Sequence, residues 1–597
     1  MGGPAFDCLS NPLGTVRFMF EKAISAGADP SKLNKSDWGT IELFQKFVYQ
    51  DGGLQKVPEI NQVKLDSIPP NSLVRFRGIV QDMFDSEFYV GVFKDGSTWR
   101  TNKYADMASV QMPPDAQVEV WDRRLLYCVP VPGENTWVRD APCKDDACSN
   151  GTPPQQREKR QREPSTSTED SDMTSAESQD SNEAKRKREE DSSSSSSPME
   201  TCERKPNQIE FDPNMPLGET NLLPCLVKMY DCMDAELKLN DIVEFIGVLT
   251  FDPELTTPSN DQDAMAHTFI DEDVLSHLPA SKVPRLHSIV YRKLSTSSLV
   301  SLSNHSEVHL RSLPIKELRE SLLQGLKAVF GGDELAAHYF LLHILSQIHA
   351  RVEPVALGKF SLNLTKIQGG SNMGSFIELL NEAIKELVPC SHFLSLTIEY
   401  LNRSSVAPRK NYQTNRLSTG VLQLASGTHL TIDETQLKAG TLNSTGVENV
   451  QIFRDLLEWQ KVGYDFEYYT MDMPTDIQVL VLSDGKSNIF PADIVVPFRP
   501  TSEFSPLSAC RFSKQQWRLY LSTMKSYEHT IGKDMQQLLE NDMVAARQRD
   551  RSVGPEVFGR WLTMARLVSL SFGEKTMSMD HWQIVKDLER QRSERLG

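Results

Sequence analysis

The chain lacks any stretch approaching the ~18 unbroken apolar residues that a membrane span needs. Its start, Met1-Gly-Gly-Pro-Ala-Phe6, lacks the charged-then-apolar order of a signal peptide, and Phe6 stands where a myristoylation signal wants Ser or Thr. A basic surplus is also missing: 64 Lys and Arg face 81 Asp and Glu, a formal net charge of −17. That balance argues against a protein that coats nucleic acid, which needs cations for the phosphates. The 9 cysteines, an odd and scattered set, do not form a disulfide framework and suit a reducing compartment. There is no Gly-x-Ser-x-Gly elbow and no His-Glu-x-x-His metal motif. What is present is length, 597 residues, with a hydrophobic fraction of 39% and 26 Phe. That is enough for real cores in roughly three or four domains.

The clearest boundary is compositional. From Ala141 to Pro206 there is no Val, Ile, Leu, Phe, Tyr or Trp, and Ser192 to Ser197 form an unbroken run. Such a segment cannot offset the entropy of ordering a chain and is expected to be disordered. Strand-like segments flank it: Leu73 to Val80, Glu87 to Phe93 and Leu125 to Val131 before, Cys225 to Tyr230 and Asp241 to Leu249 after. Their lengths and turn signals predict one small β-barrel, residues 61–140 with 207–255, and make 141–206 an acidic, serine-rich insertion inside it. Ahead of the barrel, residues 1–60 contain a short helix over Thr40 to Tyr49, with Ile41, Phe44 and Val48 on one face. Residues 256–312 read as a low-order connector in which Val283 to Val290 can be ordered.

From residue 313 helices and strands alternate. Asp333 caps a buried helix expected to run to His349, and another helix spans Val450 to Gln460. Strands are predicted at Phe360 to Leu364, Phe393 to Ile398, Thr428 to Ile432 and Ile477 to Leu482, which implies a mostly parallel sheet covered by helices over 313–500. Residues 501–597 carry only helical patterns, with Trp517, Leu521 and Met524 on one face and Phe558, Trp561, Ala565 and Val568 on another. The fold class is thus multidomain α+β and α/β.

After the first of those strands the chain reads Gly369-Gly-Ser-Asn-Met-Gly374-Ser375-Phe376. Gly369 and Gly374 have the spacing of a phosphate-cradling loop between a strand and a helix. A working loop continues with Lys, which reaches the β- and γ-phosphates, then Ser or Thr, which holds magnesium. Here Ser375 cannot supply the charge and Phe376 cannot ligate a metal. A later strand ends in Asp433-Glu434, the pattern by which nucleotide hydrolases hold magnesium and orient a water. The plainer readings are a flexible turn at Gly369 and a helix cap at Asp433. Together, in chain order, the two signals describe a P-loop core whose shape is kept and whose phosphate chemistry is lost, followed by a helical lid. Ser483-Asp484-Gly485, ending a further strand, stands where such folds read a γ-phosphate, though turns use the same residues.

Other constellations carry less. Cys143 and Cys148 have no partner pair at zinc spacing, and His338, His343 and His349 are not i,i+4 pairs, so no metal site is expected. Lys185-Arg-Lys-Arg188, with Arg157 to Arg162, reads as a nuclear-import signal on an exposed segment.

Several longer strings then carry a resemblance. Asn11 to Gly14, Val74 to Arg77, Gln81 to Asp85 with Glu87 to Tyr89, and Cys128 to Glu134 with Thr136 to Val138 are similar to the mini-chromosome maintenance (MCM) complex-binding protein family. So are Leu357 to Phe360, Asn415 to Leu417, Ile432 to Thr435, and Trp459 to Val462 with Tyr464 to Phe466. The resemblance implies an oligonucleotide-binding-like (OB-like) β-domain, then a degenerate ATPase (AAA+-like) domain. It implies a nuclear protein that binds MCM helicase subunits, helps assemble, protect or remove that complex in S phase, and supports sister-chromatid cohesion. A non-catalytic role without cofactor, with indirect chromatin association and no direct DNA binding, fits both lines. Two alternatives stay open: a divergent ATPase that borrows Lys359 or Lys366, and a single-strand nucleic-acid binder that stacks bases on Phe76, Phe88, Tyr89 and Trp99.

Overall fold

A computed structural model describes residues 7–29, 33, 36–106, 117–139, 222–230, 236–250, 283–303, 314–367, 371–487, 489–508, 512–549, 551 and 553–596. All of them belong to one compact unit, 1–142 with 212–597. The serine-rich segment, the import candidate Lys185 to Arg188, Cys143, Cys148 and Gly369 lie outside the described residues.

The N-terminal half is built on β1 (Leu73–Asp95), β2 (Thr98–Thr101), β3 (Val118–Val129), β4 (Cys225–Met229), β5 (Ile242–Thr250) and β6 (Arg285–Leu294). β1 is long enough to serve two neighbours. Its first third runs antiparallel to β5, Leu73 opposite Val248, and the rest antiparallel to β3, with register shifts at Val80/Asp82, Phe84/Glu87 and Val90/Val92 that bend it. β3 pairs antiparallel with β4, β4 runs parallel to β6, and β6 antiparallel to β5, so the pairing returns to β1 and the strands close into a ring. Val74, Phe76, Val80, Leu126, Val227, Phe245 and Leu286 fill its interior. Period-2 alternation produces this, with Val74, Phe76 and Val80 on the same side of β1. β6 falls in the stretch 256–312 that composition reads as low-order. Strongly polar flanks dilute its short apolar run, yet its first six residues are buried. The helix Pro12–Ser25 starts at Asn11, whose side chain accepts the Gly14 N–H, and it buries Val16 and Phe20.

The second half opens with helices Ile315–Val329 and Glu334–Leu345. Asp333 caps the latter by accepting the Ala336 N–H at 3.1 Å. It stops at Leu345, four residues short of the expected His349, because Ser346 turns to extended backbone. A hairpin of β7 (Ala350–Val352) and β8 (Val355–Leu357) follows. Then β9 (Leu362–Thr365), β10 (Ser391–Ser395), β13 (His429–Asp433), β16 (Gln478–Leu482) and β17 (Ile494–Pro497) form an all-parallel sheet in the order β10-β13-β16-β9-β17. A smaller sheet, ordered β12-β11-β14-β15, is made by β11 (Arg409–Asn411), β12 (Arg416–Ser418), β14 (Lys461–Asp465) and β15 (Thr470–Pro474). One face of the parallel sheet is covered by the helix Ser371–Leu387 and by helices after residue 513, which share a core through Leu364, Phe376, Leu380, Trp517, Val568 and Trp582. The other face packs on the helix Ser444–Trp459 through Val479, Val481, Phe453 and Leu457.

Candidate functional site

In a parallel sheet covered on both faces, ligands bind beyond the carboxyl ends of the strands where the strand order reverses. Here that edge lies around β9. Lys366, just past β9, has φ +67°. Its N–H donates to Asp484 O at 2.8 Å, and that of Ile367 donates to Ser483 O at 3.1 Å, so this turn is tied to the turn after β16. The helix begins at Ser371. Gly374 and Ser375 are therefore helical and exposed, not part of a loop. A Cβ added at Gly374 would meet nothing within 4 Å, so no close approach requires a glycine there.

Phe376 turns inward and is 0% exposed. Its ring lies 5.8 Å from that of Phe330, 5.0 Å from Phe504 and 4.6 Å from Phe498. An apolar ring thus stands at the position where the glycine spacing would call for a hydroxyl beside magnesium. Asp433 is buried at the end of β13, and its Oδ1 accepts from the Thr435 N–H at 3.0 Å and the Thr435 hydroxyl at 2.6 Å. Its carboxylate thus closes a local turn. Glu434 donates its N–H to Leu482 O at 2.9 Å. Its Oε2 is buried with no hydrogen-bond partner, and burial raises the carboxyl above the usual range, partly opposed by a hydrogen bond from Ser487. The Ser483 hydroxyl lies 2.6 Å from Gly485 O and 3.0 Å from Asn363 Oδ1, so it too is satisfied within the protein.

The lysines that could substitute do not converge. Lys359 precedes β9, at the opposite end of the sheet, where its ammonium pairs with Asp493 and donates to Leu457 O at 3.1 Å. Lys366 is exposed beside the edge. Of the aromatic candidates, Phe76 fills the ring interior and Tyr89 is buried against Trp121 and Tyr230. Trp99 is half-buried beside Lys94, and Phe88 alone of the four is largely exposed, at 75%. They do not form a stacking row. Among the described residues no group of three or more His, Cys, Asp or Glu could hold a metal, and no helix is long and apolar enough to cross a membrane.

Two polar arrangements escaped the sequence reading. His343 and His429 are both fully buried, with Nε2 atoms 3.1 Å apart. His343 Nδ1 lies 2.8 Å from Phe360 O, so Nδ1 carries the proton and Nε2 must accept from His429 Nε2–H. Burial drives the His343 pKa down to about 4 and that of His429 well below its ordinary value. Neither histidine looks unusual in one dimension, since they lie 86 residues apart.

The other arrangement is a polar seam between the strand ring and the second half of the chain. Asp82 Oδ2 accepts the Leu417 N–H at 2.7 Å, and Gln423 Nε2 donates to Gln81 O at 2.9 Å. Asn135 Nδ2 donates to Val388 O at 2.7 Å, and Trp137 Nε1 to Lys385 O at 2.8 Å. Asn240 Nδ2 donates to the Tyr464 hydroxyl at 2.7 Å. Gly133, at φ +69°, donates no side chain to the crowded junction: a Cβ there would come within 2.5 Å of Ser391 O. Gln81, Asp82, Gly133, Trp137, Leu417 and Tyr464 of this seam belong to the strings that carry the family resemblance.

The comparisons agree with that resemblance. The family model described as "Mini-chromosome maintenance replisome factor" matches residues 44–596. A relative from Arabidopsis thaliana is 45% identical over 600 residues, spanning 100% of both chains. One from Homo sapiens is 34% identical over 99% of this chain and 98% of its own, and one from Salmo salar 34% identical over 99% and 97%. Each of the three carries the name mini-chromosome maintenance complex-binding protein.

Proposed function

Because the chain belongs to the mini-chromosome maintenance complex-binding protein family, we propose that it is a nuclear, non-catalytic binding partner of the MCM helicase subunits. It acts in assembling, protecting or removing their complex from chromatin during S phase, and through that supports DNA replication and sister-chromatid cohesion. The observation that carries the non-catalytic reading is Phe376. The residue that follows the would-be phosphate lysine lies inside an aromatic core, and the lysine position itself is an exposed Ser375. Catalysis of phosphoryl transfer rests on positioned cations around the phosphates, and this edge supplies none in the required place.

The five-strand pairing ring supports reading the N-terminal half as an OB-like barrel. The parallel order β10-β13-β16-β9-β17, with helices on both faces, supports reading the second half as a degenerate AAA+-like domain with a helical lid. On that reading the fold is kept for its outline. A subunit-shaped protein packs against helicase subunits as their own neighbours do, without forming a nucleotide site at its own loop. Chromatin association is then indirect. The decisive experiment is to titrate the purified full chain with a fluorescent ATP analogue and, separately, with purified MCM subunits on a sensor surface. Subunit binding without nucleotide binding is expected. Magnesium-dependent ATP turnover that disappears in Asp433→Asn would favour the divergent-ATPase alternative.

A further inference from the structure

The smaller sheet ends at β15, whose outer edge pairs with no other strand among the described residues. β14 and β15 form a regular hairpin, Lys461 opposite Pro474 through Asp465 opposite Thr470, without a bulge. The Phe466 N–H bonds to Tyr469 O at 2.9 Å and the Thr475 N–H to Gln460 O at 2.9 Å. Antiparallel pairs alternate between bonded and non-bonded, so Met471 and Met473 bond inward to β14. The N–H and C=O groups of Thr470 and Asp472 therefore point out along the open edge. Natural edges are guarded by lysines, bulges or an inserted proline. β15 has neither lysine nor bulge, and its proline only ends the strand.

Around this edge stand large apolar side chains. Tyr468 is 81% exposed, Tyr469 54%, Tyr412 46% and Met471 44%. They are ordered despite their exposure: Tyr469 stacks on Phe466 at 5.1 Å and 5°, Tyr412 lies 5.6 Å from Tyr468, and the Tyr412 hydroxyl donates to Phe466 O at 3.0 Å. Tyrosines held in place bind at low entropic cost and are enriched in interface hot spots. The free charge here is acidic. Arg409 pairs with Asp465 at 3.2 Å, Lys410 donates to Asn415 O at 2.8 Å, and Lys410 and Arg416 both act on Asp82. Exposed Glu467 and Asp472 carry no ion pair among the described residues.

We propose that β15 docks an extended segment of a partner polypeptide as a fifth strand, with Lys or Arg side chains over Glu467 and Asp472 and apolar ones against Tyr468, Tyr469 and Met471. Outward backbone groups supply the hydrogen bonds, and flanking side chains the selectivity, as in other strand additions. A single-stranded nucleic acid could stack on the same tyrosines, but its phosphates would meet two unpaired carboxylates. This inference rests on the proposed binding of MCM subunits and assigns part of that interface.

The test uses the full chain against immobilised MCM subunits. Three variants are compared: Thr470→Pro, Tyr468→Ala with Tyr469→Ala, and Glu467→Lys with Asp472→Lys. Each is expected to weaken binding at least about tenfold, as loss of hot-spot contacts does. The charge reversal touches only exposed side chains and should leave the melting temperature unchanged. A photo-crosslinking phenylalanine in place of Tyr468 should attach to a helicase subunit. If the wild-type chain binds and the charge-reversed chain binds equally, with no crosslink, the edge is not the docking strand although the proposed function stands. If the wild-type chain does not bind at all, the proposed function fails and the inference with it. Binding of a single-stranded oligonucleotide that the tyrosine variant abolishes would overturn the strand in favour of nucleic acid.

Discussion

The ring of Phe376 stacks on that of Phe498 with centroids 4.6 Å apart and planes 22° from parallel. Phe498 directly follows β17, so this contact pins the helix Ser371–Leu387 to the outermost strand of the parallel sheet. The residue that would follow a phosphate-loop lysine is thereby part of the core.

The first prediction follows from that contact. Phe376→Ala should destabilise the chain by about 3–5 kcal/mol, the range for truncating a buried phenylalanine. Ser375→Lys restores the missing charge on an exposed position and should change stability by no more than about 0.5 kcal/mol. It should still confer no ATP binding, because no hydroxyl follows it and Asp433 is engaged by Thr435. Urea unfolding and nucleotide titration of both variants check this. Tight, magnesium-dependent nucleotide binding by Ser375→Lys would show that only the lysine was missing.

How far the sequence reached depends on whether the signal was local. Alternation at Val74, Phe76 and Val80 marks a strand because its neighbours are polar, and the ring is built on it. β6 is a full strand in the structure, but its 10 residues sit among polar stretches, and only its partners β4 and β5, brought in by packing, make it one. The edge strand β15, Thr470–Pro474, has no apolar run at all. Glycine spacing suggested a loop through Gly374, yet spacing cannot say where a helix starts, and the helix starts at Ser371. Asp433 and Glu434 were legible as a strand-ending acid pair. That Asp433 serves a turn and Glu434 is buried follows from residues brought in by packing. The seam bonds, such as Asp82 to Leu417 across 335 residues, have no local signature.

The second prediction concerns acid. His343 and His287 are each depressed by burial from 6.5 to about 4, and His429 well below its ordinary value. Between pH 6.5 and 4 the unfolded chain takes up protons on these residues that the native chain refuses. Stability is therefore fully present above 6.5 and falls as the pH drops, by about 1.4 kcal/mol per pH unit for each histidine. Asp476, raised by burial to about 6, works the other way, since its native form holds a proton that the unfolded form releases. The buried histidines, with His529 also depressed to about 4, outweigh the raised carboxyls Asp476, Glu434 and Asp82, so urea midpoints should fall from pH 6.5 to 5. A flat profile over that window would mean that the histidines are charged in the fold.

The third prediction concerns the import candidate. Replacing Lys185, Arg186, Lys187 and Arg188 together by Gln should shift a fluorescent fusion of the full chain toward the cytoplasm. The surrounding stretch has no Val, Ile, Leu, Phe, Tyr or Trp, so the melting temperature should not move. Retention in the nucleus would assign import to another signal or to a partner.

The fourth concerns the seam. Asn135 is buried, and its side chain bonds Val388 O at 2.7 Å and Ser391 Oγ at 3.1 Å, while the Ser391 N–H donates to Gly133 O at 2.8 Å. Asp82 holds the Leu417 N–H, and Asn240 the Tyr464 hydroxyl. Arg518 of the helix Lys514–Lys525 places its guanidinium carbon 4.0 Å from the centre of the Trp137 ring. These contacts join the strand ring to the smaller sheet at Leu417 and Tyr464, to β10 of the parallel sheet at Ser391, and to the helix Lys514–Lys525 at Arg518. Losing a partner leaves a buried group unsatisfied, at a cost of about 1–3 kcal/mol. Asn135→Ala should lose that much without changing any residue of either core. The full chain should melt in one calorimetric transition, because neither half buries its seam alone. A fragment from residue 314 onward would expose Tyr464, Leu417 and the Val388 carbonyl, and should be less stable and more readily cleaved than the same residues in the intact chain. The fragment is therefore a poor probe of partner binding, and the interface is better mapped by point variants of the full chain. Two well-separated transitions, with Asn135→Ala shifting neither, would show the halves to be independent and the seam merely incidental.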